Sequence, residues 1–300
     1  MMRAIRLEAQ RSASRVVVPR PEPSEGEVVV RVKACGICGS DLNAWRGVQG
    51  IDYPLPAGAP GHEIWGEIAD TRQPVTGLAW NGLAEFTVAR REHLLSLVSP
   101  FDRVPLLGEP LACAMNVLRR SAIPSGHRLA IVGFGYLAAL IAQLLPPGVG
   151  WIAVSRRPDS RALAQRLGAD AVYDFDKIPQ ELWDSFPVVI EAAGVQQTLD
   201  FSTWLTAYSG RLVIAGYHAD GPRSVNMQSW NWKGIDVVNA HERQPTVYME
   251  ALREGLCLIN QRGLDLSTLL THTFGMEDAQ RAFELAEARP DGFVKAVVRP

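Results

Sequence analysis

Residues 34–47, "ACGICGSDLNAWRG", set Cys35 and Cys38 three positions apart and follow them with Ser40 and Asp41. Thiols at this spacing serve as half of a structural zinc site, as a dithiol redox pair, or as one metal ligand beside an unrelated cysteine. Further on, "PGHEIWGEI" sets His62 beside Glu63, and "LLGEPLACAMNVL" carries Glu109 with Cys113 four residues later. Taken singly, a His–Glu neighbour pair fits an ordinary surface role. Taken together, these residues ask for a common explanation.

A second constellation lies in "IVGFGYLAALIAQLL", where Gly133, Gly135 and Ala138 match the G-x-G-x-x-G/A spacing between a strand-like run and a helix-like one. The first glycine makes a tight turn, and the second lets a pyrophosphate approach the backbone. The third small residue lets helix pack on strand, and the helix N-terminus holds negative charge. The residue that meets the adenosine ribose is expected roughly 20 positions later, at the end of the next strand. There the chain reads "VSRRP", so Ser155, Arg156 and Arg157 offer a hydroxyl and two guanidinium forks where an NAD-type site has a carboxylate. Guanidinium pairs bidentately with phosphate oxygens, and the pattern therefore favours a 2′-phosphate and NADP(H).

The elements that position these residues follow from pattern. From "GEVVVRVKACGICG" to "AEFTVARREHLLSL", short β-branched runs alternate with Gly, Pro and Asn, which predicts an antiparallel sheet. From about residue 121 the rhythm becomes apolar strand, glycine turn and amphipathic helix, through "RLAIVGFG", "GWIAVSRR", "AVYDF", "PVVIEAAG" and "GRLVIAGY". That alternation predicts βαβ crossovers and an α/β domain with a doubly wound parallel sheet. After "NWKGIDVVNAHERQP" two helical stretches and a closing strand, "GFVKAVVRP", return the chain to the first domain. The expected division is 1–112 with 242–300, and 113–241.

Composition narrows the function classes. A net charge of −2 without a basic stripe argues against a nucleic-acid partner. The most apolar run, "LAIVGFGYLAALIAQLL", is short for a span and carries glycines near its start, so no membrane segment is expected. Four cysteines and a start without the apolar core of a signal peptide predict a reducing, cytoplasmic setting.

The motifs "CGICGSDLNAWRG", "GHE", "EPLACAMN" and "GFGYLA", together with the closing "GLDLSTLLTHTFGMEDAQRAFELAEARPDGFVKAVV", resemble the zinc-dependent medium-chain dehydrogenase/reductase family of alcohol, polyol and threonine dehydrogenases. The resemblance runs in order along nearly the whole chain. It implies a mainly β GroES-like catalytic domain beside a Rossmann domain, and one catalytic zinc. Cys38 and His62 are then ligands, and Glu109 supplies a carboxylate directly or through water. Glu63 sits behind the metal and can enter its shell. Such a donor set with an open position is what a catalytic zinc requires. Cys35 becomes a small buried hydrophobe, Asp41 orients the ligating histidine, and Ser40 takes the alcohol proton. Cys113 is a substitute ligand of last resort. The nucleotide site extends to Tyr136 and Leu137 at the helix opening and to Ala193 and Gly216 after two later strands.

The sequence departs from the family pattern twice. No cysteine lies between Cys38 and Cys113, so the lobe that holds a structural zinc in most relatives is read as deleted. Asn43 stands where many members have a proton-carrying histidine, and an amide carries no proton at neutral pH. His241 is a candidate for the onward route. The expected function is hydride transfer between NADP(H) and a secondary alcohol or ketone, with a polyol, sugar or cyclitol favoured. A homodimer is expected through the edge formed by "GRLVIAGY" and "NMQSWNWKGIDVV". The alternatives are a zinc-free quinone or enoyl reductase of the same superfamily, and a non-catalytic NADPH-binding sensor. Trp45, Trp65 and Trp80 either line the cleft or fill the β core, and core filling is expected of any one of them.

Overall fold

The computed structural model describes residues 1–300 except 49 and 125. It divides into two compact units, one of Met1–Ala112 with Gln244–Pro300, the other of Cys113–Arg243.

The first unit begins with strands β1 (Met2–Ala9) and β2 (Ser12–Val18), an antiparallel pair. Then come β3 (Glu27–Gly36), helix α1 (Asp41–Arg46), β4 (Glu63–Ile68), β5 (Pro74–Leu78), β6 (Phe86–Arg90) and β7 (Leu94–Ser96). The boundary falls inside helix α2 (Gly108–Ser121). The second unit holds β8 (Leu129–Val132), α3 (Tyr136–Leu144), β9 (Trp151–Val154), α4 (Pro158–Arg166), β10 (Ala171–Tyr173) and β11 (Phe186–Glu191). It finishes with α5 (Gln196–Leu205), β12 (Thr206–Ile214), α6 (Met227–Lys233) and β13 (Asp236–Asn239). The chain then returns to the first unit with α7 (Pro245–Arg262), β14 (His272–Gly275), α8 (Ala279–Ala288) and β15 (Ala296–Arg299).

β3 organises the first unit. Val30, Val32 and Ala34 point into the core while Arg31 faces water, the two-residue alternation of a strand with one wet face. It pairs antiparallel with β4, β6 and β15 in a seven-stranded sheet ordered β14-β15-β3-β4-β5-β7. One core, including Ile5, Leu7, Val32, Ile64 and Leu83, joins this sheet to α1 and α8. Trp45 of α1 stacks on Phe283 of α8 at 5.2 Å between ring centroids.

The second unit is a six-stranded, wholly parallel sheet ordered β10-β9-β8-β11-β12-β13. This is the doubly wound order expected from the alternating pattern, with its reversal between β8 and β11. β8 and β9, "LAIV" and "WIAV", are buried at every residue, as strands covered on both faces must be. β12 starts ahead of the "GRLVIAGY" run, directly where α5 ends, and its register with β11 shifts between Phe186 and Val188. β13 closes the sheet at an edge, with three of its four residues exposed. No helix among the described residues is long and apolar enough to cross a membrane.

Candidate functional site

In the first unit, strand register assembles a donor cluster. Gly36 at the end of β3 lies opposite Glu63 at the start of β4, so the turn after β3 meets the residue before β4. Cys38 Sγ, a ring nitrogen of His62 and a carboxylate oxygen of Glu63 all lie within 4.8 Å of one another, the only such group among the described residues. Sulfur, imidazole and carboxylate at this spacing suit zinc and leave room for a substrate oxygen.

Asp41, buried in the first turn of α1, serves this cluster. Its Oδ2 accepts from the Cys38 N–H at 2.8 Å, and its Oδ1 lies 3.2 Å from His62 Nδ1 at an angle short of a hydrogen bond. His62 Nδ1 is also 3.3 Å from the Pro60 carbonyl. With Nδ1 so engaged, Nε2 is the nitrogen left for a metal. Burial works against an imidazolium here, but the Asp41 and Cys38 charges outweigh it and hold His62 above its ordinary range.

Behind the cluster stands a residue that the sequence did not single out. Lys295 directly precedes β15, which pairs with β3 on the side away from β4, so the chain entering β15 brings Lys295 beside Gly36 of β3 and Glu63 of β4. Its Nζ is 2.6 Å from Glu63 Oε1, and the two residues are only 5% and 1% exposed. Burial disfavours the ammonium, but the Glu63 carboxylate and the charges of Cys38 and Asp41 raise its pKa. Gly36 makes room for the pair: a Cβ there would fall 2.1 Å from Glu63 Oε2 and 2.9 Å from Lys295 Cε.

Other expected residues lie around or outside the cluster. Glu109 is half-buried at the start of α2, 3.5 Å from the Tyr248 hydroxyl, and is not among the grouped donors. Cys35 is fully buried, its thiol pushed up by burial, and Cys113 belongs to the second unit; neither joins the cluster. Ser40 is half-buried at the N-cap of α1, and Asn43 donates its N–H to the Ser40 carbonyl. Trp45 and Trp65 fill the core, whereas Trp80 is 68% exposed with its ring centroid 5.8 Å from that of His62. The turn that presents Trp80 is pinned: Thr87 Oγ1 donates to the Trp80 carbonyl, and Gly82 N–H donates to the Gly61 carbonyl just before His62.

In the second unit, the glycine turn joins β8 to α3. Gly133 has φ +83° and its N–H donates to the Val154 carbonyl; a Cβ there would also lie 2.6 Å from that of Ala193. Gly135 is the N-cap of α3, with no side-chain cap, and a Cβ there would meet nothing within 4 Å. The protein itself therefore leaves this space empty, as a cradle for a pyrophosphate at a helix N-terminus must be. Tyr136 and Leu137 open the helix, and Ala138 is fully buried, as the packing role of a small third residue requires. Gly216 follows β12 so close to the β11 end that a Cβ would stand 2.2 Å from the Gly194 nitrogen.

Ser155 is buried at the end of β9, Arg156 is exposed, and Arg157 is the N-cap of α4. Next to the β11 end is a polar network absent from the sequence reading. Glu191, fully buried, accepts from the N–H groups of Ala193 and Gly194 and from Thr198 Oγ1, and its Oε2 is 3.1 Å from His218 Nε2. Arg223 Nε donates to His218 Nδ1 at 2.8 Å, which places the His218 proton on Nε2, toward Glu191. Burial favours a protonated Glu191, but its four hydrogen-bond donors prevail and lower its pKa. His241 packs its ring on that of Tyr217, and this partial cover, with the charges of Arg243 and His218, lowers its pKa although the residue as a whole is exposed.

Comparison with known proteins agrees with both halves. An alcohol dehydrogenase GroES-like domain model matches residues 24–82, and a zinc-binding dehydrogenase model matches residues 133–255. The chain belongs to the zinc-type medium-chain dehydrogenase family. Residues 83–132, which include Glu109, lie outside both matches. Among the relatives of this dehydrogenase, a sorbitol dehydrogenase of Halalkalibacterium halodurans is 24% identical, over 88% of this chain and 90% of its own length. A D-altritol 5-dehydrogenase of Agrobacterium fabrum is 27% identical over 92% and 94%. Among solved structures, a protein of Sinorhizobium meliloti described as a zinc-binding dehydrogenase, bound to NADP, superposes with a TM-score of 0.83 at 24% identity, covering 100% of this chain and 99% of its own. An Escherichia coli alcohol dehydrogenase complexed with NADH gives 0.84 at 22%, with the same coverage. The chain is thus an oxidoreductase of the zinc-type alcohol and polyol dehydrogenase kind.

Proposed function

We propose that this dehydrogenase oxidises a secondary alcohol, or reduces the matching ketone, with one catalytic zinc and NADP(H). The donor cluster of Cys38, His62 and Glu63 carries the reading. Zinc supplies a Lewis acid that lowers the alcohol's pKa, and the dinucleotide accepts or gives the hydride.

The residues divide the work. Cys38, His62 and Glu63 would hold the metal, and Asp41 sets its carboxylate charge beside the imidazole Nδ1 while tying down the Cys38 backbone. Glu109 stands back from the cluster and acts through water. Ser40, at the opening of α1, takes the hydroxyl proton; Asn43 cannot pass it on, so the proton leaves through water. His241 lies in the second unit and serves the cofactor side of the reaction. The open cradle at Gly135 receives the pyrophosphate, flanked by Gly133, Tyr136 and Leu137, with Ala193 packed against Gly133 and Gly216 packed against the turn at Gly194. Ser155 and Arg156 hold the 2′-phosphate, with Arg157 in support. Trp80, rigidly turned outward beside His62, offers a flat apolar face to the C–H side of a polyol, sugar or cyclitol.

The β13 edge has a neighbour on one side only, and it carries exposed Val237 with exposed Trp232 of α6 just ahead of it in the chain, which supports a homodimer. The deciding experiment measures NADP+ reduction with a panel of polyols, sugars, cyclitols and simple secondary alcohols, alongside metal content. Turnover of at least one such alcohol, lost in Cys38→Ala together with the zinc, is expected. A zinc-free active protein, or none of the panel turned over, overturns the proposal.

A further inference from the structure

Arg161 lies in the first turn of α4, in a segment that reads in sequence as the wet face of an amphipathic helix, yet its side chain folds back over the β9–α4 turn. Its Nη1 reaches the Ser155 carbonyl at 2.6 Å, the Arg156 carbonyl at 2.7 Å and Asp174 Oδ2 at 3.0 Å. Arg161 and Asp174 are 22% and 25% exposed, so this contact is largely withdrawn from water. The Ser155 N–H donates to the Tyr173 carbonyl at 2.9 Å, which ties the β9 end to the β10 end where Asp174 sits. The two N–H groups of one guanidinium nitrogen are therefore shared among two successive carbonyls and a carboxylate.

We infer that Arg161 and Asp174 form a device for 2′-phosphate specificity: Arg161 is a positioning residue that fixes the Ser155–Arg156 backbone and cancels the charge of Asp174. The inference rests on the NADP(H) reading above. An acidic group at the adenosine end of a doubly wound sheet ordinarily accepts from the ribose hydroxyls and repels a 2′-phosphate. Here such a group is present one strand further out, with its charge committed to Arg161. Removing Arg161 has two effects of the same sign. The carbonyls lose their common donor, so Ser155 and Arg156 are held less firmly, and Asp174 becomes an uncompensated negative charge. A neutral ribose hydroxyl is indifferent to most of this. A dianionic phosphate is not, because charge–charge interaction at a partly buried site is weakly screened.

The test is calorimetric binding of adenosine 2′,5′-bisphosphate and of 5′-AMP, which probe the adenosine half without any turnover. The parent is expected to prefer the bisphosphate by about tenfold or more, and Arg161→Gln to cut that ratio by about tenfold while 5′-AMP binding stays within about threefold. Arg161→Gln with Asp174→Asn should recover part of the ratio, since the exposed carboxylate is gone, and Arg161→Lys should keep part of it through charge alone. A ratio unchanged in Arg161→Gln overturns the inference, as does an equal loss of both ligands, which a merely structural role would give. A double variant no better than the single one overturns the charge-cancelling role of Asp174. A parent ratio near one overturns the NADP(H) reading itself, and the two failures are thereby distinct.

Discussion

Lys295 Nζ stands 2.5 Å from Glu63 Oε2 across the backbone of Gly36, and both side chains are sealed from solvent. A buried ion pair is strongly destabilised when one partner is removed, by about 3–5 kcal/mol, because the other charge is left uncompensated. Lys295→Met should therefore lower stability by about that amount, and Lys295→Met with Glu63→Gln should recover most of it. Urea denaturation of the three proteins in their metal-free form, where no zinc offsets the Glu63 charge, measures this. Full stability in Lys295→Met would show that Glu63 does not depend on the lysine.

Metal content separates the carboxylates. One zinc per chain is expected in the parent and in Glu109→Gln, and reduced occupancy in Cys38→Ala, His62→Ala and Glu63→Gln. Asp41→Asn should keep the ligands but weaken zinc affinity by about 10–100-fold, the usual effect of removing a group that orients a ligating histidine. Elemental analysis after dialysis against a graded chelator gives the order. Loss of zinc from Glu109→Gln but not from Glu63→Gln would reverse the assignment.

Cofactor choice should respond to single residues. The parent is expected to favour NADPH over NADH by about 10–100-fold in kcat/KM, given about 1.4 kcal/mol per factor of ten. Ser155→Asp should turn the preference toward NADH, and Arg156→Ala should lose NADPH efficiency without comparable loss for NADH. Equal use of both cofactors by the parent would remove the basis for the "SRR" reading.

Acid sensitivity should trace in part to Glu191. Its folded pKa lies below the ordinary 4.5, so as pH falls the unfolded chain takes up the proton first. The stabilisation is complete above that value and is lost as pH drops through it toward the folded pKa. The gap in urea midpoint between the parent and Glu191→Gln should therefore be widest near neutrality and narrow toward pH 4. A constant gap across that range would assign the network no linkage to protons.

Sedimentation should find a dimer at micromolar concentration. The Ala240 N–H, and by the two-residue alternation that of Val238, turn inward to β12, so a proline at Val237 should yield monomer by removing an edge donor. A monomeric parent would leave the edge unpaired in solution.

Much of this molecule can be read from one sequence because its motifs are local. The turn at Gly133–Ala138 announces itself through spacing, and the β8 and β9 runs through unbroken apolar content. Lys295 does not, since a lone lysine ahead of an apolar strand looks like any solvated strand end, and its partner lies 232 positions earlier. Only the register of β15 on β3 and of β3 on β4 joins them. Arg161 is hidden for the opposite reason: its partners are near in sequence, but helix periodicity assigns it to water. The three tryptophans are alike in composition, and a left-handed residue at Asn81, φ +58°, is part of what turns Trp80 outward. Glu63 and Glu109 are a case where two separate motifs each supplied a carboxylate and strand pairing brought one of them to the cysteine.

The division of the first unit into two stretches of chain has a consequence for biosynthesis. Translation delivers residues 113–243 before it delivers the segment that carries Lys295. Domains fold as units while the chain emerges, N-terminal parts first, and the parallel sheet is complete in sequence at β13. Cys38, His62 and Glu63 exist by then, but the strand that supplies the counter-charge to Glu63 does not. A nascent chain thus holds a finished nucleotide-binding half and a thiol, an imidazole and an unpaired carboxylate without their cover. Metal captured at that stage would meet Glu63 free of Lys295, so the order of loading and closure would be set by the ribosome rather than by affinity alone.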